Sequence, residues 1–283
     1  MKFAHVFLSM AALASALWAA PSSAAMTAKT HYLFQGFDLR EYEVNKPSSC
    51  TANCPVVIDM HGFTSSAGAE KLFSGQQQSG DANGYIVVYP TGTLTSWNAG
   101  TSIYGTCCGT ASLTGVNDVG FLKAMIAKIK TNYPMIDPKR IYATGISNGC
   151  AMAQRLAAEA SDIIAGVACS SHYLLTTATS LKRPINMTEI HGRSDILVSY
   201  DRSIINTGAQ DNFKRWAKMN GCTGLPTKTA VTANSYVEEY STCSSGVKVK
   251  QYSIDSSHVT YLNTDGVNIG KITWDALKTH SLP

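Results

Sequence analysis

The chain has 283 residues, of which 23 are Lys or Arg and 19 Asp or Glu, giving a formal net charge of +4 at neutral pH. Charged residues make up 15% of it, well under the roughly 25% of an ordinary soluble protein. Neither sign is clustered, so nothing points to a nucleic acid or a membrane surface as a partner.

Residues 1–25 have the layout of a secretory leader. Lys2 supplies the positive start, Val6 to Trp18 is an apolar run, and Ser22-Ser23-Ala24-Ala25 offers small residues for cleavage. The run is too short and wrongly flanked for a membrane anchor. The expectation is a secreted, extracellular protein whose residues 26–283 form one catalytic domain, since no linker, charge block or internal repeat divides them.

Eight cysteines in an exported chain point to disulfides rather than metal. Cys50 and Cys54 have a ligand-like spacing, but no matching Cys or His pair follows at zinc-finger distance. Cys222 and Cys243 bracket a segment that reads as irregular and are expected to bridge it. The doublet Cys107-Cys108 is not expected to bond to itself. Cys50, Cys54, Cys150 and Cys169 are the partners open to it, with the pairing undecided.

The first predicted element is a β-hairpin, "HYLFQGFDLREYEV", alternating around a Gly turn. Short apolar runs follow at "PVVIDM", "YIVVYP", "RIYATGI", "IIAGVA", "INMTEI" and "VKQYSI". Asn186-Met187-Thr188 in the fifth of these is a glycosylation sequon that lies inside a strand. Helical patterns lie between the runs: one capped by Asp118 and reaching about Tyr133, then Asn148 to Ala160, Asn206 to Met219 and Ile269 to Lys278. Strands alternating with helices predict an α/β fold with a mostly parallel sheet covered on both faces, stapled by disulfides. Such sheets carry their chemistry at the carboxyl ends of the strands.

"ATGISNGCAM" places Ser147 between two glycines at one of those ends, where strand turns into helix. This is either a tight turn or a nucleophile on a strained elbow. A serine nucleophile needs a base, and the base needs a carboxylate to orient it. Asp195 follows "INMTEI" and His258 follows "VKQYSI", each just beyond a strand and in the chain order Ser, acid, His. Asp201 and Asp255 are rival acids, and His172 and His280 rival bases, while His191 reads as a packing residue. Two backbone N–H groups are also needed for a developing oxyanion. The residue after the serine, Asn148, offers one, and the loop after "VVIDM" offers Phe63 N–H, with the Phe63 ring as an apolar clamp.

The ordered set "MHGF", "YPTG" with "WNAG", "CCG", "NDVGFL", "RIYATGISNG", "HGRSD" and a late "SH" resembles the polyhydroxybutyrate-depolymerase-like esterases and the feruloyl and acetylxylan esterases of carbohydrate esterase family one. The resemblance spans Arg40 to His258 and implies an α/β-hydrolase fold. It also implies Ser147, Asp195 and His258 as the triad, Phe63 and Asn148 as the oxyanion pair, and Trp97 near the substrate cleft. Two positions depart from the pattern: Ser257 stands where a glycine usually precedes the base, and Cys150 replaces the glycine usual after Gly149.

Together these readings predict a serine carboxylic-ester hydrolase working through an acyl-enzyme without metal or organic cofactor. Feruloyl or acetyl esters of cell-wall polysaccharides are the expected substrates. The alternatives are a polyester depolymerase, an acyltransferase, and a catalytically dead fold that binds a glycan.

Overall fold

The computed structural model describes residues 26–36, 38–201 and 207–283. The expected leader, and Asn206 at the start of one expected helix, lie outside these residues.

The hairpin forms as β1 (Thr27–Gln35) and β2 (Asp38–Lys46). The apolar runs become β3 (Cys54–Met60) and β4 (Ile86–Pro90), with α1 (Ala67–Phe73) and α2 (Gln76–Asn83) between them. A small ribbon, β5 (Thr101–Ser102) and β6 (Gly105–Thr106), precedes α3 (Gly109–Leu113) and α4 (Asp118–Asn132). Next come β7 (Ile136–Gly145), α5 (Asn148–Ala160), β8 (Gly166–Ser170), β9 (Asn186–Gly192) and α6 (Ala209–Met219). The chain finishes with β10 (Thr227–Ala230), β11 (Tyr236–Tyr240), β12 (Val249–Ile254) and α7 (Ile269–Leu277).

Ten strands make one sheet in the order β1-β2-β4-β3-β7-β8-β9-β12-β11-β10. Its six central strands, β4 to β12 in that order, are parallel, and both flanks are antiparallel. Parallel strands are buried on both faces and therefore read as continuous apolar runs. Period-2 geometry sorts their side chains. Val56, Ile58 and Met60 join Phe121, Leu122, Met152 and Leu156 beneath α4 and α5, while Val57 and Val87 join Tyr85, Tyr142, Trp274 and Leu277 beneath α7. The strand order reverses between β3 and β7, which is where open α/β sheets leave a crevice.

Three expectations need correction. Asp118 does not cap its helix. The cap is Asn117, which accepts from Gly120 N at 2.9 Å, while buried Asp118 pairs with Arg40 at 2.8 Å and accepts from Asn98 N. The stretch between Cys222 and Cys243 is not irregular, since it holds the β10–β11 hairpin that extends the sheet beyond β12. The Cys107-Cys108 doublet does pair with itself, across a cis peptide bond. Cys50 pairs with Cys54 and Cys150 with Cys169, so no other cysteine remains for the doublet. Cys222 and Cys243 pair as expected. Asn186 is buried in β9 and accepts from Lys248 N, which puts the sequon inside the sheet.

Candidate active site

Ser147 follows β7 with φ 53° and ψ −123°, a left-handed backbone that lifts its side chain out of the strand–helix turn. The flanking glycines are there for close approach. A Cβ on Gly149 would lie 2.0 Å from Met60 O, and one on Gly145 would lie 2.3 Å from the same oxygen. The elbow is therefore pressed against the end of β3, so the loop carrying Gly62 and Phe63 borders Ser147. Neither the Phe63 nor the Asn148 N–H has an acceptor among the described residues. For Asn148, the first residue of α5, this is the ordinary state of a helix N-terminus.

His258 follows β12, and its Nδ1 lies 2.7 Å from Asp195 Oδ2. The loop bearing it is tied down by Ser171, whose hydroxyl donates to His258 O at 2.6 Å. Gly192 lets that loop close in, because a Cβ there would lie 2.1 Å from Ser257 O. Asp195 sits in the turn after β9, its side chain shut off from solvent. Oδ1 accepts from the N–H groups of Leu197 and Val198, each at 2.9 Å. Burial alone would raise its pKa. The hydrogen bonds from His191, His258 and Val198 N–H outweigh burial and hold the carboxyl well below the usual range.

None of the rival residues takes these places. Asp201 is exposed, and Asp255 faces Arg193 at 3.8 Å. His172 is buried, accepts from Tyr173 N and is pushed down to about 3 by burial. The backbone of His280 binds Tyr142 Oη on the far side of the molecule from α5.

Ser147 and His258 open into one cleft of about 460 Å³, lined by Phe63, Phe73, Ile146, Leu197, Val259 and Leu262 among others. Phe63 lies half exposed at its edge. Trp97 is not on that wall, which corrects the expectation for it. It is fully buried, with its indole N–H on His61 O and its backbone clamped on both sides by the Asn148 side chain. Leu197 and Leu262 went unread in the sequence because isolated apolar residues between the main elements have no periodicity to give them away, and Phe73 because the seven-residue α1 that it ends is too short to show one.

Glu70 closes the cleft floor, buried, accepting from Tyr261 Oη at 2.7 Å and facing Asp59. Burial pushes both carboxyls up, Asp59 to about 7. Behind Asp195 lies His191, also buried, with Nδ1 2.7 Å from Glu189 Oε1 and Nε2 3.2 Å from Asp195 Oδ2. Cys107, Cys108 and His172 are the one set of potential metal-binding atoms clustered among the described residues. Both thiols there are spent in the disulfide.

No protein-family model matches the chain. It is 32% identical over 264 residues to feruloyl esterase B of Piromyces equi, a match covering 86% of this chain and 46% of the relative. A bifunctional acetylxylan esterase/xylanase of Neocallimastix patriciarum is 24% identical over 212 residues, covering 75% of this chain and 29% of the relative. Poly(3-hydroxyalkanoate) depolymerase C of Paucimonas lemoignei is 34% identical over 122 residues, covering 43% and 28%. The chain thus spans less than half the length of these relatives. Among solved structures, an acetyl xylan esterase from Aspergillus awamori superposes with a TM-score of 0.63 at 13% identity, covering 88% of this chain and 99% of that one. The sheet and its elbow thus give the chain the α/β-hydrolase fold, and its sequence is similar to those of feruloyl, acetylxylan and poly(3-hydroxyalkanoate) esterases.

Proposed function

We propose that the protein is an exported serine esterase that releases aromatic acyl groups, of the feruloyl kind, from polysaccharide esters. The observation carrying this is the 2.7 Å His258–Asp195 pair opening onto the cleft that holds the Ser147 elbow. Ser147 Oγ attacks the ester carbonyl and His258 takes its proton, with Asp195 fixing the ring through Nδ1. The free N–H groups of Phe63 and Asn148 receive the oxyanion. His258 then protonates the departing alcohol, and water, deprotonated by the same imidazole, clears the acyl-enzyme. No metal or organic cofactor has a part in these steps.

The cleft supports the choice of acyl group. A walled, apolar space of about 460 Å³ gains burial energy from a phenyl ring, at about 25 cal/mol per Å² removed from water, and almost none from an acetyl group. The relatives include enzymes named for each kind of ester. A second reading, polyester depolymerisation, is favoured by the exposed apolar rim of Phe63, Phe73, Leu197 and Leu262, which suits a water-insoluble chain. Four disulfides and the leader-like residues 1–25 support export, with residues 26–283 as one catalytic domain.

The test is to give equal enzyme feruloylated arabinoxylan fragments, acetylated xylan and polyhydroxybutyrate granules, and to quantify the acids released. Ferulate is expected first. Fast release of 3-hydroxybutyrate with little ferulate would replace the first reading with the second. Ser147→Ala should lose several orders of magnitude of activity on every ester while remaining folded, and covalent labelling by an organophosphonate should map to Ser147.

A further inference from the structure

Asp195 Oδ2 meets two imidazoles, His258 at 2.7 Å and His191 at 3.2 Å. His191 Nε2 also lies 2.9 Å from Val198 O, a group that can only accept, so Nε2 carries a proton. Nδ1 faces Glu189 Oε1 at 2.7 Å, while Glu189 Oε2 accepts from Asn212 Nδ2 at 2.5 Å. Any proton on the glutamate therefore sits on Oε1, and one further proton is shared between Glu189 and His191. The row runs Glu189, His191, Asp195, His258, and all but His258 are fully buried side chains.

We propose that Glu189 and His191 are positioning residues for the esterase reaction, holding Asp195 in the orientation that steers His258, with His191 carrying both ring protons and Glu189 balancing its charge. This rests on the reading of Ser147, Asp195 and His258 given above. The pairing explains why a cation can stand beside the triad acid without cost to it. A lone imidazolium would discourage the positive charge that forms on His258 during attack, whereas a neutral Glu189–His191 pair lends Asp195 a strong donor and leaves its charge for His258. The groups facing His191 support the doubly protonated form. Glu189 and Asp195 are the two charged ones. His172 from the end of β8 is held neutral by burial, Tyr200 packs at 6.1 Å between ring centroids, and His258 stands across Asp195. Burial alone would lower His191, but the hydrogen bonds to Asp195 and Glu189 prevail and raise it to about 9.

Glu189→Gln tests this while preserving shape, because its amide can donate to a neutral His191 Nδ1 and still accept from Asn212. On a soluble aryl ester, wild-type kcat/KM is expected to fall as pH rises through about 9, where His191 loses its second proton. In Glu189→Gln that alkaline limb should vanish, and kcat at pH 8 should drop about tenfold, the scale of one pKa unit, with KM unchanged. A merely structural residue would lower activity and melting temperature together and leave the limb in place, and that result overturns the proposal, as does a wild-type profile in the variant. Nitrogen NMR of the wild-type His191 ring at pH 7.5 needs no variant: two ring protons are expected, and one alone overturns the proposal even if Glu189→Gln does not fold. If Ser147→Ala stays active, it is the esterase reading that has failed. If Ser147→Ala is dead and the Glu189→Gln limb is intact, only the positioning role has.

Discussion

Two buried acid pairs lie at the same end of the sheet, and their wiring differs. At the end of β9, Glu189 in the strand and Asp195 in the turn after it have an imidazole between them, and Asp195 also takes two backbone N–H donors and His258. At the end of β3, Asp59 and Glu70 face each other with no cation between them, and neither Asp59 oxygen makes a well-formed hydrogen bond. Burial acts first on both pairs and in the same direction, favouring the protonated acid. The donors around Asp195 reverse it there, and nothing reverses it at Asp59. Burial of a carboxylate thus does not decide its charge; the donors buried with it do.

The comparison would break most visibly in activity. Asp195→Asn should cost about 10³- to 10⁴-fold in kcat, since a neutral amide no longer fixes the imidazole tautomer. Asp59→Asn should cost less than about tenfold by the same scale, and Asp201→Asn and Asp255→Asn less still. An Asp59→Asn enzyme as damaged as Asp195→Asn would show the β3 pair to be part of the chemistry.

A middle-sized effect is expected from the staple on the β9–β12 side. The Cys222–Cys243 bridge closes the β10–β11 hairpin beside the strand that delivers His258. Replacing both cysteines with serine should lower unfolding free energy by about 2–4 kcal/mol, read from urea titrations at fixed pH. A loss confined to kcat with stability untouched would mean that the bridge tunes the His258 loop instead.

The pH dependence of stability should separate the two pairs by sign. Asp195 has a depressed folded pKa, so its contribution is present above the unfolded value near about 3.9 and is lost only as pH falls into strong acid. Asp59 is raised to about 7, so its contribution is present below about 3.9 and is lost as pH rises through about 7. Asp59→Asn should therefore gain stability relative to wild type between pH 4 and pH 8. The gain should be about 1–3 kcal/mol, the usual penalty for a buried polar group left unpaired. Parallel stability curves over that range would end the distinction.

The smallest expected effect lies in the cleft. Leu197 is exposed at its rim, and Leu197→Ala should raise KM for an aromatic ester by a few-fold, consistent with partial loss of roughly 1 kcal/mol of apolar contact, and leave kcat for a small acetyl ester unchanged. An equal change on both esters would remove Leu197 from the acyl wall.

Much of this architecture was legible without coordinates, because its signals are local. Ser147, Asp195 and His258 could be placed after strands because buried parallel strands announce themselves as unbroken apolar runs, and Gly-x-Ser-x-Gly marks a turn where side chains cannot be accommodated. The Cys222–Cys243 pair was legible for the same reason, as a bracket around one segment. Two of the misreadings were of partners distant in sequence. Trp97 looked like a cleft aromatic until Asn148, 51 residues on, was seen to clamp its backbone. Asp118 looked like a cap until Arg40, from the opening hairpin, was seen to neutralise it. The Cys107-Cys108 doublet was misread for another reason: adjacent cysteines were not expected to bond to each other, and the pairing of the other six leaves them no other partner.

The sequence by itself determined the strand–helix alternation, the order of Ser147, Asp195 and His258 along the chain, and the supply of cysteines for disulfides, since each depends on residue type and spacing along the chain. Only the tertiary structure decided which acids are charged, which aromatics meet the cleft, and that His191 stands between Glu189 and Asp195 with His258 on the far side. Those facts depend on desolvation and on hydrogen-bond partners, and both come into being when β3, β7, β9 and β12 are brought side by side.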